Sequence, residues 1–567
     1  MKEFKPRKLA FILLAVLPFT GCKLLDPLPE YEVEPKPLRV KGDSVRVKIK
    51  VDFKPESFHK KATATATPVL KYEGGKTEFE SVTFQGEKVT KNHETIPHDK
   101  GKSYTYTDKV AYNEDMKRSV LNVKLKGSKG NKTETFDEDS LALGVITTPH
   151  LLMNDDKVLL GKDNFQRTTK HTKRSVIHYR INSPRVRNKE LRDDDIKKME
   201  KFLGKVKKSE DLQMENLELV AYASPDGELT LNEDLAKNRA KSGMEYFKEA
   251  LSEKEIDSVK DGFYNKKPQG EDWKGFKKKM EASDIKDKKL ILRVLSQYGD
   301  TKKREKEIKN MAETYKVIAD KILPELRRTQ LILHYKKIGK TDKELKELAM
   351  SNPDSLKLEE LMKAGSLFES PDKKLKVYKQ VEQQYPDDWR GPNNVGKILM
   401  MKNKPKEARK KFKKAAEIKE TAIVKNNLGV AARLKGDLKK AAKKFKNAQT
   451  AGPEVSYNLA LVNIQNGDYD AASSNIGDEK SFNKALLQVV KGNPDAAVNT
   501  LDKAPEATSA KGLYLKAIIG ARKGNKDMVM KNLKKAVQKN ASLKKKAKKD
   551  AEFHKYWGSS DFSSIVG

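Results

Sequence analysis

The stretch Trp389–Pro453 decides how this chain is read: WRGPNNVGKILMMKNKPKEARKKFKKAAEIKETAIVKNNLGVAARLKGDLKKAAKKFKNAQTAGP. Gly396 recurs as Gly429, and Ala408-Arg-Lys-Lys-Phe412 recurs as Ala441-Ala-Lys-Lys-Phe445, both at an offset of 33 residues (396 to 429, 408 to 441). A fixed period of that length in helix-forming sequence marks a stacked array, because each unit buries its apolar face only against the next. Gly and Ala let paired helices approach, and Phe and Leu fill the seam. Turn pairs continue the pattern at Gly436-Asp437, Gly467-Asp468, Gly492-Asn493 and Gly524-Asn525. The spacing predicts units at 387–420 and 421–453 and shorter ones at 454–480, 482–505 and 509–541. Capping helices are expected at 354–385 and from Leu543 to Trp557, so that the array fills 352–557.

The 33-residue period, the small residues at the crossings and the A-x3-F spacing resemble the tetratricopeptide repeat. The resemblance implies an all-α solenoid whose concave groove binds a peptide or a partner protein. Lys404, Lys406, Lys410, Lys411, Lys413, Lys414, Lys439, Lys440, Lys443, Lys444 and Lys446 make the region strongly basic. Turned inward, they would favour an acidic partner segment; turned outward, they are a solvated coat. The run Lys544-Lys545-Lys546, Lys548-Lys549 reads as a solvated helix face.

At the other end, Lys2, Lys5, Arg7 and Lys8 precede an apolar run from Leu9 to Phe19, followed by Thr20-Gly21-Cys22. That is the layout of a signal peptide over 1–21, and the run is shorter than the roughly 20 residues a spanning helix needs. Cys22 is the only cysteine among 567 residues. The small residues before it resemble a lipobox, which implies acylation of the thiol and attachment to the outer membrane, the body of the protein facing the periplasm. Several acyl chains on one residue hold far better than one. A cleaved secretory signal with an incidental thiol is the alternative. With no other cysteine, no disulfide framework can form. Residues 22–37 are rich in Pro and charge and read as a tether.

Residues 38–150 carry a β pattern. Val45, Val47, Ile49 and Val51 alternate with Arg46, Lys48, Lys50 and Asp52, and further short runs are separated by Gly-containing turns. They predict a β-sandwich-like module. Near Arg174 the order becomes strand, helix, strand, helix.

There, Val220-Ala-Tyr-Ala-Ser-Pro-Asp-Gly, followed by Asn232, Leu235, Asn238-Arg239-Ala240 and Tyr246-Phe247, resembles the peptidoglycan-associating OmpA-like domain. Leu326-Arg327-Arg328-Thr329-Gln330-Leu331-Ile332-Leu333 matches that family's closing strand. The resemblance implies an α+β domain over 174–340 with a helical insertion at about 271–324, a form similar to lipoproteins of Bacteroidetes type. In the family an Asp in the loop takes an ammonium of the wall peptide and an Arg on the helix takes its carboxylate. Arg239 and Asn232 occupy the family positions; the family Asp falls on Ser224, with Asp226 two residues later. The candidate site is therefore Ser224, Asp226, Asn232 and Arg239. The alternative is structural: an Asp-Gly turn ending a strand, Asn232 capping a helix, Arg239 facing solvent.

The formal net charge of +37 would suit nucleic acid. The excess is mostly Lys without interleaved aromatics to stack bases, and the signal peptide directs the chain elsewhere, so nucleic acid is not expected. The eight histidines fall in no metal-ligand spacing, and neither a phosphate-binding GxxxxGK[ST] nor a GxSxG elbow occurs. No catalytic residue, metal or cofactor is expected. His178, on a predicted strand, reads as a packed or half-exposed residue. The whole reads as a multidomain, non-enzymatic envelope scaffold with a protein partner of unknown identity. A surface-exposed adhesion or fimbria-associated lipoprotein without peptidoglycan binding is the alternative.

Overall fold

The computed structural model describes residues 24–136, 139–256 and 259–567. The signal peptide and Cys22 lie outside the described residues. The chain forms two compact units: one holds the residues up to Gly161 together with Tyr385–Gly567, the other holds Lys162–Gln384.

Among the described residues the first unit holds eleven strands before its helices: β1 (Glu30–Lys41), β2 (Ser44–Phe53), β3 (Thr63–Tyr72), β4 (Gly75–Glu78), β5 (Val82–Gly86), β6 (Glu94–Ile96), β7 (Lys102–Ala111), β8 (Ser119–Lys129), β9 (Lys132–Thr135), β10 (Asp139–Leu143) and β11 (Val145–Ile146). They form one sheet in the order β11-β1-β2-β7 and a second in the order β10-β8-β3-β5-β6, with β4 and β9 as side ribbons. The alternation in β2 sends Val45, Val47, Ile49 and Val51 into a core shared with Ala64, Leu70, Leu121 and Val123 of the other sheet. That is a sandwich, built as period-two patterning requires.

The stretch 22–37 is not a free tether over its described part. Leu24 and Leu25 are 5% and 4% exposed and belong to the sandwich core, and β1 already pairs with β2 from Glu30. Pro35 and Pro37 lack an N–H, and they fall inside the register shift between Glu34 and Arg39. The prolines therefore make an irregularity at a point of lost pairing instead of ending the strand.

The second unit holds β12 (Thr168–His178), α1 (Asp194–Lys208), β13 (Leu212–Ala223), α2 (Leu229–Ser252) and β14 (Tyr264–Glu271). Five helices follow, α3 (Trp273–Ala282), α4 (Lys288–Gln297), α5 (Thr301–Lys309), α6 (Ala312–Lys321) and α7 (Leu323–Leu326), then β15 (Arg328–Ile338). The sheet order is β12-β15-β13-β14. β15 runs antiparallel to both neighbours while β13 and β14 are parallel, a mixed sheet. α3–α7 close around a small core of their own, with Phe276, Met280, Ile291, Ile318 and Leu323.

α8 (Asp342–Ser351), α9 (Leu358–Leu367) and α10 (Pro371–Gln384) also belong to this unit, within which lies the stretch expected to cap the array, 354–385. Arg167 pairs with Asp342, Lys340 Nζ lies 2.8 Å from Glu360, and the Asn164 amide donates to Glu359. The pair α9–α10 packs as a repeat pair does: a Cβ on Gly365 would meet the Tyr378 ring at 2.5 Å.

Back in the first unit the chain is all helix: α11 (Arg390–Met401), α12 (Pro405–Ile418), α13 (Ala422–Leu434), α14 (Leu438–Lys446), α15 (Glu454–Asn466), α16 (Tyr469–Asn475), α17 (Phe482–Val490), α18 (Pro494–Asp502), α19 (Ala510–Arg522) and α20 (Lys526–Lys539), closed by α21 (Leu543–Lys549) and α22 (Ser560–Val566). α11–α20 form five helix pairs. A Cβ at Gly396 would lie 2.5 Å from the Phe412 ring, and one at Gly429 2.6 Å from that of Phe445. The 33-residue recurrence is this contact made twice. Among the described residues no helix is long and apolar enough to cross a membrane.

Candidate functional site

Between the sandwich and Gly161 the chain crosses the array as an extended strap. Leu151 enters the apolar cluster of α17–α20; Val158 and Leu159 pack against Val430, Val455 and Leu459. The strap's main chain meets the first helix of successive pairs through asparagines. The Gly161 amide donates to Asn394 Oδ1 at 2.8 Å, and Asn394 Nδ2 donates to the Gly161 carbonyl at 2.9 Å. Asn427 does the same for Leu159 at 2.8 and 2.7 Å. Asn458 repeats it for Lys157 at 2.7 and 2.9 Å, and Asn483 for Met153 at 2.9 and 3.0 Å. The alternation 157, 159, 161 is that of a β-strand, whose every second residue presents both its N–H and its C=O to one side.

Asn393 and Asn426 complete the ladder. They donate to the Leu159 and Lys157 carbonyls at 3.2 and 2.9 Å. Asn427 donates to Asn393 at 2.8 Å and Asn458 to Asn426 at 2.9 Å, so neighbouring units hold one another's amides. All six asparagines are 0% exposed. A buried primary amide is tolerable only when its donors and acceptor are matched. Here the strap supplies much of the matching.

Side chains add selectivity. Arg433 on α13 grips Asp156 with Nε and Nη2, and the pair is 0% and 3% exposed. Its remaining donors reach Gln465 at 2.7 Å and Asn154 at 2.8 Å. Asp155 accepts from the Tyr457 hydroxyl and from Asn483 Nδ2. Burial pushes the Asp155 carboxyl above its ordinary range, and burial, with Asp155 beside it, raises the Tyr457 phenol well above 10. At the strap's end only glycine fits, because a Cβ at Gly161 would lie 2.6 Å from Arg390 Cγ.

The lysines singled out in the sequence lie elsewhere. Apart from Lys404 at its N-cap, those of 404–414 are on α12, and those of 439–446 are on α14. These are second helices of their pairs, whereas the strap-binding asparagines sit on α11, α13, α15 and α17. Most of these lysines are exposed. The groove is lined by amides, not ammonium groups. On α21, Lys546 departs from the expected solvated face: it is half-buried over the Tyr514 ring, 5.5 Å from its centroid.

The candidate site of the second unit is also occupied by the chain itself. Ser224 is buried and donates to Asp226. Arg327 reaches Ser224 Oγ at 2.9 Å and Asp226 Oδ2 at 3.0 Å. From the helical insertion, Lys309 Nζ donates to the Asp226 carbonyl at 3.0 Å. Arg239 does not face solvent: it is 1% exposed and donates to the carbonyls of Tyr222, Ser183 and Arg180 at 2.9, 3.2 and 3.2 Å. Burial, with Arg327 nearby, pulls its guanidinium down to about 10. Asn232 lies inside α2, one turn past the N-cap position held by Glu228, and its Nδ2 donates to the Gly227 carbonyl and to Glu271 at 3.2 and 2.9 Å. The structure thus brings Ser224 and Asp226 together on Arg327 and commits Arg239 separately to backbone. His178 is half-buried, with Nδ1 3.5 Å from Glu190.

No family model matches this chain, and no curated protein does. Solved structures similar to parts of it are repeat proteins. PilW, a widely conserved type IV pilus biogenesis factor, is 17% identical with a TM-score of 0.22, over 40% of this chain and 89% of that one. A tetratricopeptide repeat protein from Parabacteroides merdae is 15% identical with a TM-score of 0.29, over 37% and 90%. YrrB, a TPR protein with an unusual peptide-binding site, is 17% identical with a TM-score of 0.21, over 36% and 100%. At these values the array's assignment as tetratricopeptide-like stands on its own period and helix packing.

The asparagine ladder, Arg433 and the strap were not singled out in the sequence. A signal for them exists: Asn393-Asn394 recurs as Asn426-Asn427 at the same 33-residue offset, on a helix face that otherwise carries the repeat's small and apolar residues.

Proposed function

We propose that the protein is a non-enzymatic, lipid-anchored scaffold of the bacterial cell envelope. It is held to the outer membrane through acylated Cys22, faces the periplasm, and binds a protein partner through its helical array. The observation that carries the partner-binding reading is the buried amide ladder, a surface built to take an extended main chain. The anchor rests on the basic, apolar and Thr-Gly-Cys order of residues 1–22. Contact with peptidoglycan through the OmpA-like domain belongs to this reading and requires Asp226 to part from Arg327.

One observation favours a second reading. Asp226 and Arg239, the two groups that would hold the wall peptide, are both engaged inside their own unit. That fits a surface-exposed adhesion or fimbria-associated lipoprotein that shares the anchor but does not touch the wall.

Fractionation tests the anchor: Cys22→Ser should leave the membrane fraction, and a mutant that stays there contradicts lipidation. Protease added to intact cells separates the readings. Survival of the repeat array supports the periplasmic one, and its cleavage supports the surface one. Sedimentation with purified peptidoglycan decides the wall contact.

A further inference from the structure

The strap is bound as a ligand would be. Its main chain is read by amides at Met153, Lys157, Leu159 and Gly161, and its side chains are tested at three places: the carboxylate at Asp156 by Arg433, the carboxylate at Asp155 by Tyr457 and Asn483, and the missing side chain at Gly161 by Arg390. Leu159 adds an apolar contact. Together these define the acceptable segment: extended, with an Asp pair, a hydrophobic residue three positions on and a glycine two beyond that.

Tethering explains why such a site stays closed. A segment joined to its groove by the chain competes at a local concentration in the mM range, far above any free peptide. The main chain contributes no sequence information, so another segment of the same chemistry would meet identical donors and acceptors. One flank of the strap is open, a cleft of about 540 Å³ lined by Met400, Met401, Leu434 and strap residues including Asn154 and Leu159. Met401 is 57% exposed there.

We propose that this groove is a binding site for an extended, Asp-pair-bearing segment of a partner protein, and that residues 153–161 are its built-in competitor. The inference deepens the reading of the array as the partner-binding part and rests on it. Release of the strap opens the site, and occupancy by the strap closes it.

The test uses the full chain and a fluorescent synthetic peptide of residues 152–162. The wild-type chain should bind it at least tenfold more weakly than a chain carrying Asp156→Ser and Gly161→Val, which loosen the strap and leave the helices unchanged. Adding Arg433→Met to the loosened chain should remove the binding, and so should replacing both Asp residues by Asn in the peptide. Equal binding to wild-type and loosened chains overturns the competitor role. No binding to a loosened chain whose thermal melt matches wild type overturns the site. Should the double variant not fold, Gly161→Val alone is used. In wild type, excess peptide should then speed amide exchange at Met153, Lys157, Leu159 and Gly161, and no change overturns the proposal. Crosslinking of the wild-type chain to an envelope partner, tested separately, bears on the scaffold alone. A partner found there while the peptide test fails removes this inference and leaves that reading standing.

Discussion

The repeat groove and the loop at Ser224–Asp226 are both sites that the chain fills with its own atoms, but they do so by different physics. In the groove the occupant is a segment without secondary structure, held by main-chain hydrogen bonds to six asparagines and by one desolvated ion pair. In the loop the occupants are side chains of the domain itself, Arg327 from the edge of the closing strand and Lys309 from the inserted helices. A segment can leave and be replaced by another of like chemistry. Arg327 can turn its side chain away but stays anchored in the domain, next to Leu326 in the core of the inserted helices. Occupied grooves are therefore still sites, whereas a loop closed from within is architecture until something opens it.

The contrast can be broken in several places. Arg433→Met leaves Asp156 buried without its cation, and breaking a buried pair costs about 3–5 kcal/mol. Chemical unfolding of the full chain should show that loss, and a double-mutant cycle with Asp156→Ala should return most of it as coupling. In the second unit, Arg239→Ala strands three carbonyls, a loss of about 3 kcal/mol that should appear in denaturation with no change in strap protection. Asn427→Ala unpairs the Leu159 amide, takes one of two donors from the Leu159 carbonyl and breaks the amide contact with Asn393. About 2 kcal/mol is expected, read as faster exchange at Leu159 ahead of its neighbours. Ser224→Ala removes a hydroxyl that both accepts from Arg327 and donates to Asp226, a loss of about 1 kcal/mol confined to unfolding of the second unit.

The smallest effect is of pH. Asp155 has its carboxyl raised by burial, against the opposing pull of the Tyr457 hydroxyl and Lys157, with Asp156 adding to the rise. The folded state therefore binds this proton more tightly than the unfolded chain does, and stability gained by protonation is lost as pH rises through the folded value. Protection at Met153, corrected for intrinsic exchange, should increase modestly as pH falls from neutral towards the ordinary carboxylate range, and Asp155→Asn should flatten that dependence.

Much of the fold was legible because it is periodic. Gly396 and Gly429 must be small for Phe412 and Phe445 to pack, so the contact is written twice in the sequence. β2 displayed its buried face as alternating valines. The helices at 354–385 read as part of the array because Gly365 and Tyr378 use the same local packing; long-range pairs such as Asn164–Glu359 and Lys340–Glu360 tie them to the second unit. The prolines at 35 and 37 suggested a tether, while the strand survives them by a register shift. Two of the groove's asparagine positions, Asn393-Asn394 and Asn426-Asn427, repeat at the same offset as the glycines. Their partner is main chain some 230 to 330 residues away in sequence, and main chain carries no letter to match.

Residue-resolved amide exchange on the full-length protein, read by fragmentation in the mass spectrometer, tests the central claim most directly. Strong protection is expected at Met153, Lys157, Leu159 and Gly161, lost first at Leu159 in Asn427→Ala. Rapid exchange at all four amides in the wild-type chain would contradict the claim, because the strap would then not be lying in the groove.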